Sequence, residues 1–293
     1  MPNLTDYSRI SPEVQDSPSN WTPPQGVLGR ILAQARSLLA AVSAARRSEL
    51  ERAVAALASG PAAPDFAAAL RAGPSVAVIA EVKRRSPSRG VINAGIAAST
   101  QALAYASSGA AAISVLTERE HFGGSLADLA EVRAAVAIPL LRKDFVVDRT
   151  QLWEARLTGA SGVLLIARAL PPAELAALAA EARAVGLEPL IEVRSEAELV
   201  AAAAAGARVI GVNQRDLETL QVEPAVTARL LPLIPAGLVA IAESGIRSRA
   251  DVEMAANAGA DAVLVGTVLS AAIDPSVVLR ELAGVPRRAR RAH

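Results

Sequence analysis

The sequence predicts an α/β protein of the (β/α)8 TIM-barrel class with additional N-terminal helices. Short, continuously apolar runs alternate with helical stretches rich in Ala, Leu, Arg and Glu, which is typical of parallel strands covered by helices. Eight such runs occur, and eight parallel strands close a barrel. The runs are residues 76–83, 111–118, 139–145, 162–167, 189–193, 209–213, 238–244 and 262–267.

Glycines stand between several helical stretches and the strands that follow, at Gly109, Gly186, Gly206 and Gly259. Glycine is favoured just after a helix because this position often requires a positive φ. The alternative fold is an open, doubly wound sheet, which usually has fewer strands and a Gly-rich loop after the first one. No G-x-G-x-x-G pattern follows any of the eight runs. The barrel is therefore favoured.

The composition limits the classes of function. The chain has 293 residues, of which 52% are hydrophobic and 20% charged, so a large core is expected. Aromatic residues make up only 2%, and the 30 basic and 29 acidic side chains nearly cancel. No nucleic-acid partner is therefore expected. The sequence contains no cysteine, which excludes disulfides, thiolate catalysis and cysteine-ligated metal centres.

Three segments are predicted along the chain. Residues 1–26 form a polar lead-in rich in Pro and Ser, residues 27–284 form a single barrel domain, and residues 285–293 form a basic tail. The tail is expected to be a solvated terminus. Helices are expected over residues 27–42 and 48–58, before the first strand. We find neither a signal-peptide pattern nor an apolar run of membrane-spanning length, so a cytoplasmic protein without a membrane partner is expected.

Charged or amide side chains stand at the ends of five predicted strands. Glu81 and Lys83 share the parity of Ala77 and Ile79, the candidate inward positions of the first strand. The same reasoning gives the set at the barrel mouth: Glu81, Lys83, Lys143, Glu192, Asn213 and Glu243. Barrel active sites are built at these strand ends, so the set predicts acid–base chemistry. The alternative is a ring of ion pairs that only caps the barrel, although buried charges are costly without a task.

Two further features indicate an anionic ligand. The loop over residues 83–90 is basic, hydroxyl-rich and turn-forming. Gly245 and Gly266 follow the seventh and eighth strands, where barrels often bind phosphate at a short extra helix. Residues 268–272 are the candidate for that helix.

No cofactor or metal is expected from the sequence. The two histidines, His121 and His293, are far apart, and no H-E-x-x-H pattern occurs. We interpret His121 as a loop residue. Ser244 has no visible base partner and is not predicted to be a nucleophile.

Five motifs at strand ends occupy residues 79–88, 141–145, 190–193, 211–217 and 242–246. In sequence and in order, these motifs closely resemble the indole-3-glycerol phosphate synthase family of tryptophan biosynthesis. The resemblance covers roughly residues 27–284 and includes the N-terminal helices. Glu118 stands where an aspartate is common in this family.

The resemblance implies an enzyme that converts 1-(2-carboxyphenylamino)-1-deoxyribulose 5-phosphate to indole-3-glycerol phosphate, with loss of carbon dioxide and water. It implies Lys143 as the acid for ring closure, Lys83 and Glu192 as acid and base for loss of the hydroxyl, and Arg215 as the carboxylate ligand. The two lysines have the same chemistry, so the sequence itself leaves open which of them acts in which step. The implied catalytic residues are Glu81, Lys83, Lys143, Glu192, Asn213 and Ser244. The implied substrate-binding residues are Ser86, Pro87, Ser88, Phe122, Phe145, Arg215, Leu217, Glu243, Gly245, Gly266 and Thr267.

Two rival functions remain. One is another phosphate-binding barrel enzyme, such as the isomerase that acts on phosphoribosylanthranilate, but the cysteine base of that isomerase has no counterpart in a chain without cysteine. The other is a non-catalytic relative that binds a phosphorylated ligand. The partner expected is a small phosphorylated substrate, and the expected state is a monomer or weak homo-oligomer, free or associated with other tryptophan-pathway enzymes.

Overall fold

The computed structural model describes residues 21–57, 60 and 62–290. Eight parallel strands close into a barrel in which each strand pairs with its neighbours in sequence and the first pairs with the last. Every predicted strand overlaps an observed one, and the predicted fold class is confirmed. The strands are β1 Ala77–Val82, β2 Ala112–Leu116, β3 Leu140–Lys143, β4 Gly162–Ile166, β5 Glu188–Val193, β6 Val209–Asn213, β7 Val239–Glu243 and β8 Ala262–Val265.

Helices precede the barrel and cover it. Helix α2 begins at Ala44, earlier than expected, because the hydroxyl of Ser43 accepts a hydrogen bond from the Arg46 N–H and caps it. The helices are α1 Gly26–Ala40, α2 Ala44–Ala56, α3 Phe66–Ala69, α4 Ala98–Ser107, α5 Leu126–Ala135, α6 Arg149–Leu157, α7 Pro172–Ala184, α8 Glu196–Ala204, α9 Ala225–Leu230, α10 Arg249–Asn257, α11 Thr267–Ala271 and α12 Pro275–Leu282.

The glycines predicted to end helices do so. Gly109, Gly186, Gly206 and Gly259 follow α4, α7, α8 and α10 with φ values of 98°, 80°, 71° and 95°. A side chain is strained in this left-handed region, so glycine allows each chain to turn directly into the next strand.

The barrel interior is filled by inward side chains of alternating strand positions. Ile79, Leu141, Leu190 and Ile241 are fully buried there. Across the described residues, no single helix is long and apolar enough to cross a membrane. Only α1 and α2 taken together, which meet at an angle of 93°, have that length and composition.

The C-terminal segment packs across the base of the barrel, at the amino ends of the strands. Val285 and Arg290 are buried, and Pro286 forms an isolated bridge with Ser75. The expectation of a solvated terminus is therefore wrong for Val285, Arg287 and Arg290, whereas Pro286, Arg288 and Ala289 are exposed. Residues 291–293 lie outside the described part. The physical reason is Asp261, a buried carboxylate that attracts the arginines of this segment.

Candidate active site

A cavity of about 1100 Å³ opens at the carboxyl ends of the strands. Every catalytic and substrate-binding candidate named from the sequence lines it. The cavity also includes Val27, Ile31, Arg89, Gln214 and Arg247, which the sequence did not single out as site residues. Residues from eight strand ends and from helix α1 therefore converge on one site.

Lys143 occupies the centre of this site, at the end of β3. Its Nζ lies 3.2 Å from Glu192 Oε2 and 3.3 Å from Glu243 Oε2. Burial alone would lower the pKa of Lys143, but the charges of Glu192, Glu243 and Glu81 reverse this and raise it above its ordinary value. The ammonium is therefore held protonated, as a proton donor must be.

Glu243 lies at the end of β7. Of the two carboxylates beside Lys143, it is the one with an oxygen that no hydrogen bond from the described residues satisfies. Burial raises the pKa of Glu243 to about 8, because Lys143 only partly offsets the burial and Glu192 adds to it. One oxygen, Oε1, has no hydrogen-bond partner among the described residues. It lies where a Cβ on Gly211 would stand, so the glycine in β6 makes room for the carboxyl group.

A second ion pair stands beside this cluster. Lys83 Nζ lies 2.6 Å from Glu81 Oε1, and Glu81 is buried. Gly266 borders both groups, because a Cβ there would clash with Glu81 and lie 2.7 Å from Lys83 Nζ. Gly266 has a φ of −120°, which other residues adopt, so space and not backbone conformation requires the glycine. The predicted short helix after it is observed as α11.

The loop after β7 has an unusual backbone. Ser244 and Gly245 have φ values of 62° and 74°, both left-handed. For Ser244 this is an uncommon conformation that a functional site can maintain. A Cβ on Gly245 would lie 2.5 Å from Gln214 Oε1. The left-handed φ therefore favours glycine at 245, and a side chain there would also displace the end of Gln214.

Two phenylalanines form an aromatic part of the cavity wall. The rings of Phe122 and Phe145 are 6.1 Å apart and inclined at 43°, a favourable aromatic geometry. Glu118 holds the loop that presents Phe122, because its carboxylate accepts hydrogen bonds from the N–H groups of Glu120, His121 and Phe122. His121 is a loop residue, as predicted, with Nδ1 3.2 Å from Glu118 Oε1.

Helix α1 supplies a wall that sequence reasoning missed. Its Val27 and Ile31 line the cavity, and the segment before it is docked on the loop after β6. Gln25 N–H donates to Glu218 Oε2 at 2.8 Å, and Leu28 N–H donates to Leu217 O at 3.1 Å. The apolar periodicity of α1 predicts a buried face but not which surface that face meets.

The described residues contain no group of three or more His, Asp or Glu side chains arranged to hold a metal ion. The polar side chains of the cavity include lysines, arginines, glutamates, aspartates, hydroxyl groups and the amides of Asn213 and Gln214. These groups can donate and accept protons and can bind anions.

The fold and the cavity define a class: (β/α)8-barrel proteins with a cluster of lysine and glutamate side chains at the carboxyl ends of the strands. The family model of indole-3-glycerol phosphate synthase matches residues 28–282. The chain belongs to the indole-3-glycerol phosphate synthase family.

The names of similar proteins support this family assignment. The chain is 53% identical over 178 residues to indole-3-glycerol phosphate synthase 1 of Streptomyces coelicolor, covering 61% of this chain and 66% of the relative. It is 49% identical over 191 residues to the synthase of Parafrankia sp., covering 64% and 71%. The matches span about two thirds of the relatives' length. A solved thiamine phosphate pyrophosphorylase from Pyrococcus furiosus superposes with a TM-score of 0.53 at 16% identity, over 71% of this chain and 93% of that one, which shows the fold alone.

Proposed function

We propose that the chain is an indole-3-glycerol phosphate synthase of tryptophan biosynthesis, acting in the cytoplasm. Its substrate would be 1-(2-carboxyphenylamino)-1-deoxyribulose 5-phosphate. The observation that supports this most directly is the clustering of Lys143, Glu192 and Glu243 beside the Glu81–Lys83 pair in one cavity. The reaction needs two acids and one base, and this cluster contains both kinds of group.

Ring closure would use Lys143. The ring carbon that bears the carboxylate attacks the ketone carbon, and Lys143 Nζ protonates the ketone oxygen to a hydroxyl. The nitrogen lone pair moves toward the ring and leaves an iminium. A lysine whose pKa is raised by three carboxylates is charged at neutral pH and can stand beside the oxygen as donor.

Decarboxylation and dehydration would complete the indole. The bond to the carboxylate breaks, carbon dioxide leaves, and the electron pair neutralises the iminium. Lys83 would then protonate the departing hydroxyl, while Glu192 removes the neighbouring proton. Overall, two protons are donated by acids and one is returned to a base, which matches loss of one carbon dioxide and one water. Each step is acid–base chemistry, and we expect no metal or redox cofactor.

The remaining residues would bind and orient. Glu81 would tune the two lysines, Asn213 and Ser244 would hold hydroxyl or amine groups, and Arg215 would bind the carboxylate. Phe122 and Phe145 offer an apolar wall for the aromatic ring. The phosphate would lie against the following groups: Lys83, Ser86, Gly245, Gly266 and Thr267. We expect a monomer or a weak homo-oligomer.

Incubation of the purified protein with the carboxyphenylamino-deoxyribulose phosphate tests this function. We expect indole fluorescence to appear together with an equal amount of carbon dioxide. The Lys143→Met variant, checked for folding by circular dichroism, is the matched control and should be nearly inactive. Binding of the substrate without turnover would favour a non-catalytic relative, and turnover of phosphoribosylanthranilate instead would favour the isomerase.

A further inference from the structure

The charges of the cavity are unevenly paired. Lys83 is paired with Glu81, and Lys143 with Glu192 and Glu243. Three other cations line the same cavity without a carboxylate at ion-pair distance among residues 21–57, 60 and 62–290: Arg89, Arg215 and Arg247. A cavity with unpaired guanidinium groups favours anionic ligands.

Two of these arginines, Arg89 and Arg215, line the same cavity and interact through their charges. Arg89 lies at the tip of a two-stranded antiparallel ribbon formed by Arg85–Ser86 and Gly90–Val91, after β1. Arg215 follows β6, is half-buried, and donates one hydrogen bond, from Nη1 to Leu220 O at 2.7 Å. Burial, and then the positive charge of Arg89, lowers the pKa of Arg215. Two like charges therefore face the same space.

We propose that Arg89 and Arg215 together bind the carboxylate of the substrate, with Arg89 as a second ligand beyond the one that the family resemblance implies. The proposal rests on the proposed function. A carboxylate has about four lone-pair sites, enough for two guanidinium groups. An anion between them removes their mutual repulsion and forms charge-assisted hydrogen bonds with both.

This arrangement has a consequence for the reaction. The carboxylate that the two arginines share is the group that leaves as carbon dioxide, and indole-3-glycerol phosphate does not contain it. Arg89 should therefore contribute to the binding of substrate and not of product. After decarboxylation the attraction between the carboxylate and the two guanidinium groups is lost, so neither group holds the product through this contact.

Two ligands that differ only in the carboxyl group make the proposal testable. One ligand is the substrate with its ketone reduced to an alcohol, so that it cannot cyclise. The other ligand is the same reduced molecule without the carboxyl group. Their dissociation constants would be measured by calorimetry for wild type, Arg89→Gln, Arg89→Lys and Arg85→Gln. Arg85 is on the same ribbon, outside the cavity, and its side chain passes over Gly123. Arg85→Gln is therefore a control for charge.

We expect Arg89→Gln to weaken the carboxylate ligand about 3- to 30-fold, the range for a charge-assisted contact that solvent partly screens. The ligand without the carboxyl group should change less than about twofold in that variant. Arg89→Lys should recover part of the loss, because it keeps the charge but not the planar fork. Added salt should shrink the difference between the two ligands.

Equal weakening of both ligands, or a result equal to that of Arg85→Gln, would contradict the role of Arg89. In either case the wild-type protein would still turn over the unreduced substrate, so the proposed function would stand. A wild-type protein that binds neither ligand and forms no indole would overturn the function, and this inference with it.

Discussion

Both ends of the barrel bury charged groups, but the buried charges have different partners at the two ends. At the base, Asp261 Oδ2 accepts hydrogen bonds from Arg71, Arg290 and the Ala240 N–H at 3.0, 2.8 and 2.9 Å, and Arg287 lies 3.6 Å from Oδ1. At the mouth, one ammonium is shared by two carboxylates, and Glu243 Oε1 has no partner within the described chain.

The difference lies in which groups can exchange a proton. The unpaired atoms at the base include Nε of Arg71 and Nε of Arg290, and guanidinium groups do not lose protons in proteins. The excess at the mouth is carboxylate, and burial raises the pKa of Glu243 to about 8, close enough to neutrality for this group to gain or lose a proton. The base is therefore a structural charge cluster, whereas the mouth is one that can titrate.

The largest expected effect concerns the mouth. Lys143→Met keeps the bulk of the side chain but removes the proton donor, so turnover should fall about a hundredfold to ten-thousandfold. Glu192→Gln should also lower turnover more than it weakens substrate binding. Because both groups act on one reaction, the double variant should lose less than the product of the single losses. Steady-state kinetics and thermal melts on the three variants test this.

If these residues only cap the barrel, the same variants should melt at much lower temperature with nearly normal turnover. We expect the opposite pattern, because burial raises the pKa of Glu243, so this group can take up a proton when the ammonium is lost.

At the base of the barrel, a substitution should lower stability and leave turnover nearly unchanged. Asp261→Asn leaves three arginines around a neutral group, and breaking a buried pair of this kind costs about 3–5 kcal/mol. The melting temperature should fall by roughly 10 °C, while turnover per folded molecule should stay within about twofold. Glu253→Gln, which removes the exposed partner of Arg249, is the control and should change little. A selective loss of turnover in Asp261→Asn would break the contrast between the two ends.

A smaller effect separates two glycines at the mouth. Gly266→Ala should lower turnover as well as weaken phosphate binding, because its Cβ would displace Glu81 and Lys83, and Lys83 is also a proposed phosphate ligand. Gly245→Ala should raise the Michaelis constant and weaken inhibition by inorganic phosphate with little change in turnover, because the strained backbone would move its N–H groups. Kinetics with phosphate as inhibitor distinguish the two. Identical effects of both variants would show that the two loops do not have separate tasks.

The smallest expected effect is on stability against pH. Glu243 binds a proton in the folded state that the unfolded chain releases above the ordinary pKa of a glutamate. The folded state therefore holds more protons in this range, and the free energy of unfolding should fall as pH rises toward about 8. Urea unfolding across pH 5–8 should show a shallower fall in Glu243→Gln. Equal slopes would mean that Glu243 is ionised.

The sequence correctly predicts those features of the fold and site that depend on residues within a single strand. Strand parity placed Glu81 on the inner face with Ile79, and the apolar runs located all eight strands, because both depend on neighbouring residues. The roles of the site residues stay predictions. The lead-in up to residue 20 lies outside the described part of the chain.

What the sequence did not predict depends on residues far apart in the chain. Neither the docking of residues 285–290 on Asp261 nor the contact of α1 with the loop after β6 has a local pattern. The requirement for glycine at Gly266 arises from side chains on β1 and its loop, which only barrel closure brings near. The sequence marks Glu118 as a departure from the family's usual aspartate. It does not predict that the Glu118 carboxylate accepts three hydrogen bonds from the N–H groups of one loop.

Helix α1 contributes Val27 and Ile31 to the cavity, although it stands outside the eight repeating units. One wall of the site can therefore be altered without touching a strand, a lysine or a glutamate. This makes the helix an exchangeable part for protein engineering. Grafting the corresponding helix of a relative, together with its contact at Leu217 and Glu218, offers a way to reshape the cavity while the proton-transfer groups stay in place.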